Sequence, residues 1–78
     1  MAKKRNYKEI AEKNIFLANA AEIRKICLAQ HVDVGVAVDM YITEHHLHRT
    51  EELMKQARDF RACCREVPLR DICGELNK

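Results

Sequence analysis

Histidine and cysteine are the residues of this 78-residue chain best suited to chemistry, and they cluster. His45, His46 and His48 share one stretch, and Cys63, Cys64 and Cys73 share another. Zinc takes thiolate sulfur and imidazole nitrogen in tetrahedral sets, so a mixed site is the first chemistry these types suggest. The spacing argues against it. The chain has no Cys-x-x-Cys pair and no histidines separated by three to five residues. Adjacent helical residues point about 100° apart, so Cys63 and Cys64 do not converge on one ion. A cysteine activated by a histidine would be a nucleophile. No local signature supports that pairing, no Gly-rich phosphate loop is present, and the acids are scattered without paired carboxylates. A chain this short also has little room for a substrate cavity. The expectation is a non-enzymatic protein with no metal and no cofactor. Cys27 and Cys64 then serve as small core hydrophobes, and the histidines as polar surface or helix-end residues.

The cations suggest a different chemistry. Lys3, Lys4, Arg5 and Lys8 all precede the first acid, Glu9. The rest of the chain holds ten basic residues against twelve acidic ones, so a basic arm precedes a slightly acidic body. Lys55, Arg58, Arg61 and Arg65 recur at three- or four-residue spacing, which on a helix makes a basic stripe fit to follow a phosphate backbone. Asp59 and Glu66 interrupt that field, and a solvated face is the ordinary role of such a stripe. Phosphates and acidic protein surfaces are the partners that this charge layout suits.

Helices must position these groups. With two glycines and one proline, the chain lacks the turns that an all-β sandwich needs. Residues 1–6 read as a flexible basic arm and 7–78 as one small domain, marginal alone and in want of a staple or a partner chain. Residues 7–18 fit either helical spacing, through Tyr7, Ile10, Asn14 and Leu17, or a short extended run at Ile15-Phe16-Leu17. Asn19 and Glu22 have the form of a capping box opening a helix over 20–30, with Ile23, Ile26 and Cys27 on one face. Asp33 is a second cap. After it, Val34, Val38, Tyr41, Ile42 and His45 follow helical period, while alternate residues from Val32 to Ile42 follow strand period. The helix is favoured, because a strand of that length would be unusually long and would lack a partner. As a helix it is apolar on a second side too, through Val36, Met40 and Leu47, so it needs cover on two sides. Thr50, followed by Glu51 and Glu52, caps a helix over about 51–65. Leu53, Ala57, Phe60 and Cys64 form its apolar face, Pro68 ends it, and residues 69–76 add a final turn or two. The expected fold is all-α with three to four short helices, with the option of one short N-terminal strand pairing in a dimer.

At residues 13–47 the pattern resembles the ribbon-helix-helix class of DNA-binding repressors and antitoxins. The resemblance implies that KNIFLA is the strand, that Asn19–Gln30 is the first helix, and that Asp33 caps the second. It also implies two interlocked chains sharing a core of Ile23, Ile26, Val34, Val38 and Ile42. The chain departs from the class where bases would be read. Of the alternate residues Asn14, Phe16 and Ala18, only Asn14 carries a hydrogen-bonding side chain.

The functional expectation is a small regulatory protein, a homodimer that binds DNA and controls transcription. Lys3, Lys4, Arg5, Lys8, Asn14, Lys55, Arg58, Arg61 and Arg65 are its candidate nucleic-acid contacts. Ile23, Ile26, Val34, Val38, Met40, Tyr41 and Ile42 are its candidate dimer or partner contacts. The alternative is a helical inhibitor or adaptor that docks an apolar helix on a partner protein. No apolar run is long enough to span a membrane, and no apolar h-region follows MAKKRNYKEI, so a cytoplasmic location is expected.

Overall fold

Short polar side chains divide this chain into helices, each accepting hydrogen bonds from N–H groups that the first turn of a helix leaves without partners. The computed structural model describes residues 6–77. Asn6 accepts from the Glu9 N–H and opens α1, Tyr7–Ala11. Asn14 accepts from the N–H groups of Phe16 and Leu17 and opens α2, Ile15–Ala18. α3 spans Ala20–Gln30. Asp33 accepts from the Val36 N–H and opens α4, Val34–Glu44. Thr50 accepts from the Leu53 N–H and opens α5, Glu51–Glu66. Pro68 precedes α6, Leu69–Leu76.

Two histidines act as helix stops. His31 closes α3 in the left-handed region at φ 54°, and the Val32 N–H returns 3.2 Å to the Cys27 carbonyl. His46 follows α4 at φ 53°, and the Leu47 N–H returns 3.0 Å to the Ile42 carbonyl. Among non-glycine residues, histidine is one of those that tolerate this conformation. Val67 ends α5 in extended backbone, as the residue before a proline should.

α3 packs between α4 and α6, α5 packs across α2 and α4, and α1 closes over α2 and α6. Phe16, Leu17, Ile23, Ile42, Phe60, Cys63 and Ile72 are fully buried where these elements meet. Phe16 stands edge-on to Tyr41 at 6.0 Å and lies 6.2 Å from Phe60, so three aromatic rings tie α2, α4 and α5 together.

The all-α class holds, with six helices among the described residues rather than three to four. The optional N-terminal strand is absent there. KNIFLA is a turn followed by the single helical turn α2, because the Asn14 side-chain oxygen Oδ1 caps that turn. Asn19 stands at the N-cap of α3, but its side chain makes no capping hydrogen bond there. Its side-chain amide donates 2.9 Å back to the Ile15 carbonyl, so it ties the end of α2. Asn6 belongs to the α1 cap and not to the arm, and residues 1–5 lie outside the described residues. The segment that fitted two periods is helix: Val38, Tyr41 and Ile42 turn inward, and Val36 and Met40 turn out. No helix among the described residues is long and apolar enough to cross a membrane.

Candidate nucleic-acid and partner surfaces

α5 is one regular helix, so its charged residues can be placed around its axis at 100° per residue. Lys55, Arg58, Arg61 and Arg65 share about a third of the circumference. Glu52, Asp59 and Glu66, spaced seven apart, form a neighbouring acidic stripe. The acids therefore border the basic field instead of interrupting it. Lys55, Arg58 and Arg65 are exposed. Arg61 is half-buried and lays its stem on the first turn of α4, where a Cβ on Gly35 would stand 3.9 Å from Arg61 Cδ. Its aliphatic part is thereby packed. Among the described residues, these four cations form no ion pair. Arg58 and Lys55 also share an open cleft with Lys13 and Arg49, whose own guanidinium binds Asp39 at 3.2 Å.

The other expected nucleic-acid contacts are placed elsewhere. Lys8 lies on α1, in a groove with Leu76 and Asn77 at the end of α6. Lys3, Lys4 and Arg5 lie outside the described residues. Asn14 is buried and both ends of its amide are used. Its oxygen caps α2, and its Nδ2 donates 2.9 Å to the Gln56 carbonyl while Gln56 Oε1 accepts from the Ile15 N–H at 3.0 Å. It cannot also read a base. The polar character that marked it in the sequence serves a cap and an α2–α5 clasp.

The expected interface residues separate in the same way. Ile23, Val38, Tyr41 and Ile42 are buried in the core of a single chain, so they are not free for an interface. α3 and α5 of the same chain cover the inward side of α4. Ile26 and Val34 are half-buried. Met40 is 37% exposed, and Val36, one turn before it, is 42% exposed. These two form an apolar stripe on the outer side of α4. Met40 also lines a groove between α3 and α4 with Ile26, Lys25 and Glu44. His45, at the end of α4, stacks on Tyr41 with ring centroids 4.3 Å apart, and its Nε2 meets the Glu22 carboxylate at the start of α3.

The histidine and cysteine clusters do not meet. His45 clasps α3 to α4, His46 is a helix stop, and the His48 carbonyl accepts from the Thr50 N–H. Cys27 of α3 comes near Cys63 and Cys64 of α5 and Cys73 of α6. None of the four forms a disulfide. Burial pushes the Cys64 thiol up to about 12, with smaller pushes from Cys63, Cys27 and Cys73. Burial also raises Cys27, helped by Asp33, and raises Cys73 against the pull of Arg24. A raised thiol pKa disfavours the thiolate that nucleophilic attack or metal ligation needs. Among the described residues, no three His, Cys, Asp or Glu groups are placed to hold a metal ion.

This chemistry gives a pH dependence of known sign. A thiol whose pKa is higher folded than unfolded holds its proton more tightly in the fold. Its contribution is complete below the unfolded value of about 9 and is lost as pH rises toward about 12. Discounted for solvent screening of the half-buried Cys64, the loss is on the order of 1–2 kcal/mol. Urea midpoints measured at pH 8 and at pH 11 should fall with pH, and Cys64→Ala should flatten that fall. An equal slope in the variant would show that Cys64 does not set it.

Comparison of the chain with protein-family models, curated proteins and solved structures finds no match.

Proposed function

We propose that this chain is a small, non-enzymatic regulator that acts as a dimer on DNA in the cytoplasm and controls transcription. The observation that carries the reading is the free cationic flank of α5. Arg58, Arg61 and Arg65 lie on one side of a rigid helix, Lys55 lies beside them, and Arg61 is held in place by the first turn of α4. Arginines held at helical spacing can follow successive phosphates, which sets orientation and register on a duplex. The outward side of α4 supports no role in base reading, since Val36, Asp39, Met40 and Glu44 offer apolar surface and carboxylates where base edges need donors.

Fluorescence anisotropy of the full chain with random-sequence duplex DNA, taken across a salt series, tests the reading. Affinity should fall steeply with salt. In Arg58→Gln/Arg61→Gln/Arg65→Gln the slope of log K against log salt should shrink by about 0.9 for each arginine removed. No binding by the wild-type chain at low salt would end the proposal.

The exposed stripe of Val36 and Met40 favours a second reading, a helical inhibitor or adaptor docked through α4. On that reading a foreign protein partner, and not DNA, should raise the chain's stability sharply.

A further inference from the structure

We infer that Cys27 of α3 and Cys64 of α5 are a modification site, a thiol pair that hydrogen peroxide closes into a disulfide tying the two helices together. The inference is independent of the DNA reading. Two observations place the pair. The first is the path of the backbone. The Val32 N–H returns 3.2 Å to the Cys27 carbonyl and turns the chain tightly from the end of α3 into α4. Gly35, on the first turn of α4, then meets the Arg61 stem, less than one helical turn before Cys64. The corner between α3 and α4 therefore sits on the stretch of α5 that carries Cys64. The second is the cluster of thiols. Cys63, Cys27 and Cys73 all act on the Cys64 thiol, and of the two on other helices Cys27 acts the more strongly.

Exposure and direction choose among the four. Cys63 and Cys73 are buried, while Cys27 and Cys64 are half-buried and reachable from solvent. Both pack against the core without entering it. Cys63 and Cys64 are neighbours on one helix, and their side chains diverge by about 100°. Cys73 lines a separate groove with Leu17, Ala18 and Leu76. Cys27 is the thiol left for Cys64.

One peroxide balances the reaction. The Cys27 sulfur attacks an oxygen of hydrogen peroxide, the O–O bond breaks, and a sulfenic acid and one water result. The Cys64 sulfur then attacks that sulfenic sulfur. The S–S bond forms, and the departing hydroxide takes the Cys64 proton and becomes a second water. The two thiols lose two electrons, and the peroxide gains them. Burial holds both thiol protons, so closure is slow at neutral pH and quickens as pH rises. In a reducing compartment the bond is transient, formed under oxidant and reversed by small thiols.

The full chain at low concentration tests this, with hydrogen peroxide as oxidant and dithiothreitol to reverse it. Intact mass should fall by two hydrogens, with no added oxygen and no covalent dimer, and faster at higher pH. Tryptic mapping without reductant should join the peptide that holds Cys27 to the one that holds Cys64. Cys27→Ser and Cys64→Ala should each abolish the closure, with circular dichroism confirming their fold. The bond constrains the unfolded chain over the long interval from Cys27 to Cys64. The folded-to-unfolded ratio from urea titration should therefore rise on the order of 100-fold on oxidation and return with dithiothreitol. Oxygen added without loss of hydrogen, a bridge mapped to Cys73, closure that survives Cys64→Ala, or a bridged chain with a lower urea midpoint would each overturn the inference.

Discussion

Phe16→Ala is expected to remove most of the stability of this protein. Phe16 is fully buried on α2, edge-on to Tyr41 of α4 and against Phe60 of α5. Truncating a buried phenylalanine to alanine costs about 3–5 kcal/mol, part from lost transfer energy and part from the cavity left behind. A chain of this length has roughly 4–12 kcal/mol of stability in total. α2 is a single turn and cannot shift inward on its own helical strength to fill the space. The variant should therefore be partly unfolded without denaturant at 25 °C, which far-ultraviolet circular dichroism and a urea titration would show. A loss below about 1 kcal/mol would mean that α2 does not pin α4 to α5.

Asn14→Ala should come next in size, and it separates two asparagines that look alike in sequence. Removing the Asn14 side chain takes the cap from the Phe16 and Leu17 N–H groups and the donor from the Gln56 carbonyl, all where water enters poorly. Unsatisfied buried groups cost about 1–3 kcal/mol each, and a lost cap about 1 kcal/mol, so a total of about 2–4 kcal/mol is expected. Asn14→Asp keeps the capping oxygen and loses the donor, and should fall between the wild type and the alanine variant. Asn19→Ala removes one bond to the Ile15 carbonyl from a half-exposed residue and should cost about 1 kcal/mol or less. Urea midpoints of the three variants check the order. Equal losses for the two alanine variants would show that Asn14 is not the working cap.

These asparagines show where sequence reasoning stopped. Asn19 matched the capping pattern with Glu22, and Asn14 preceded only a short apolar run. The choice between them turned on Gln56, 42 residues away, whose carbonyl holds the Asn14 amide in its capping rotamer. The candidate surfaces divided similarly. The basic stripe of α5 was legible because helical spacing alone puts Lys55, Arg58, Arg61 and Arg65 on one flank, whatever packs behind them. The interface residues were not, because periodicity finds an apolar face without saying which element covers it. Ile23, Val38, Tyr41 and Ile42 went to the chain's own core, and Met40 and Val36 were left outside.

The sequence by itself determined a helical class, the caps at Asp33 and Thr50, the stop at Pro68 and the cationic flank. Each depends on interactions within about one helical turn, which the order of residues specifies directly. Tertiary structure decided the rest: helix over strand after Asp33, Asn14 as a cap and clasp, Cys27 among the other thiols, and Val36 with Met40 as the uncovered side of α4. Those outcomes depend on contacts between segments far apart in the chain. A local pattern states only that a side chain seeks burial or a hydrogen bond, and packing chooses the group that supplies it.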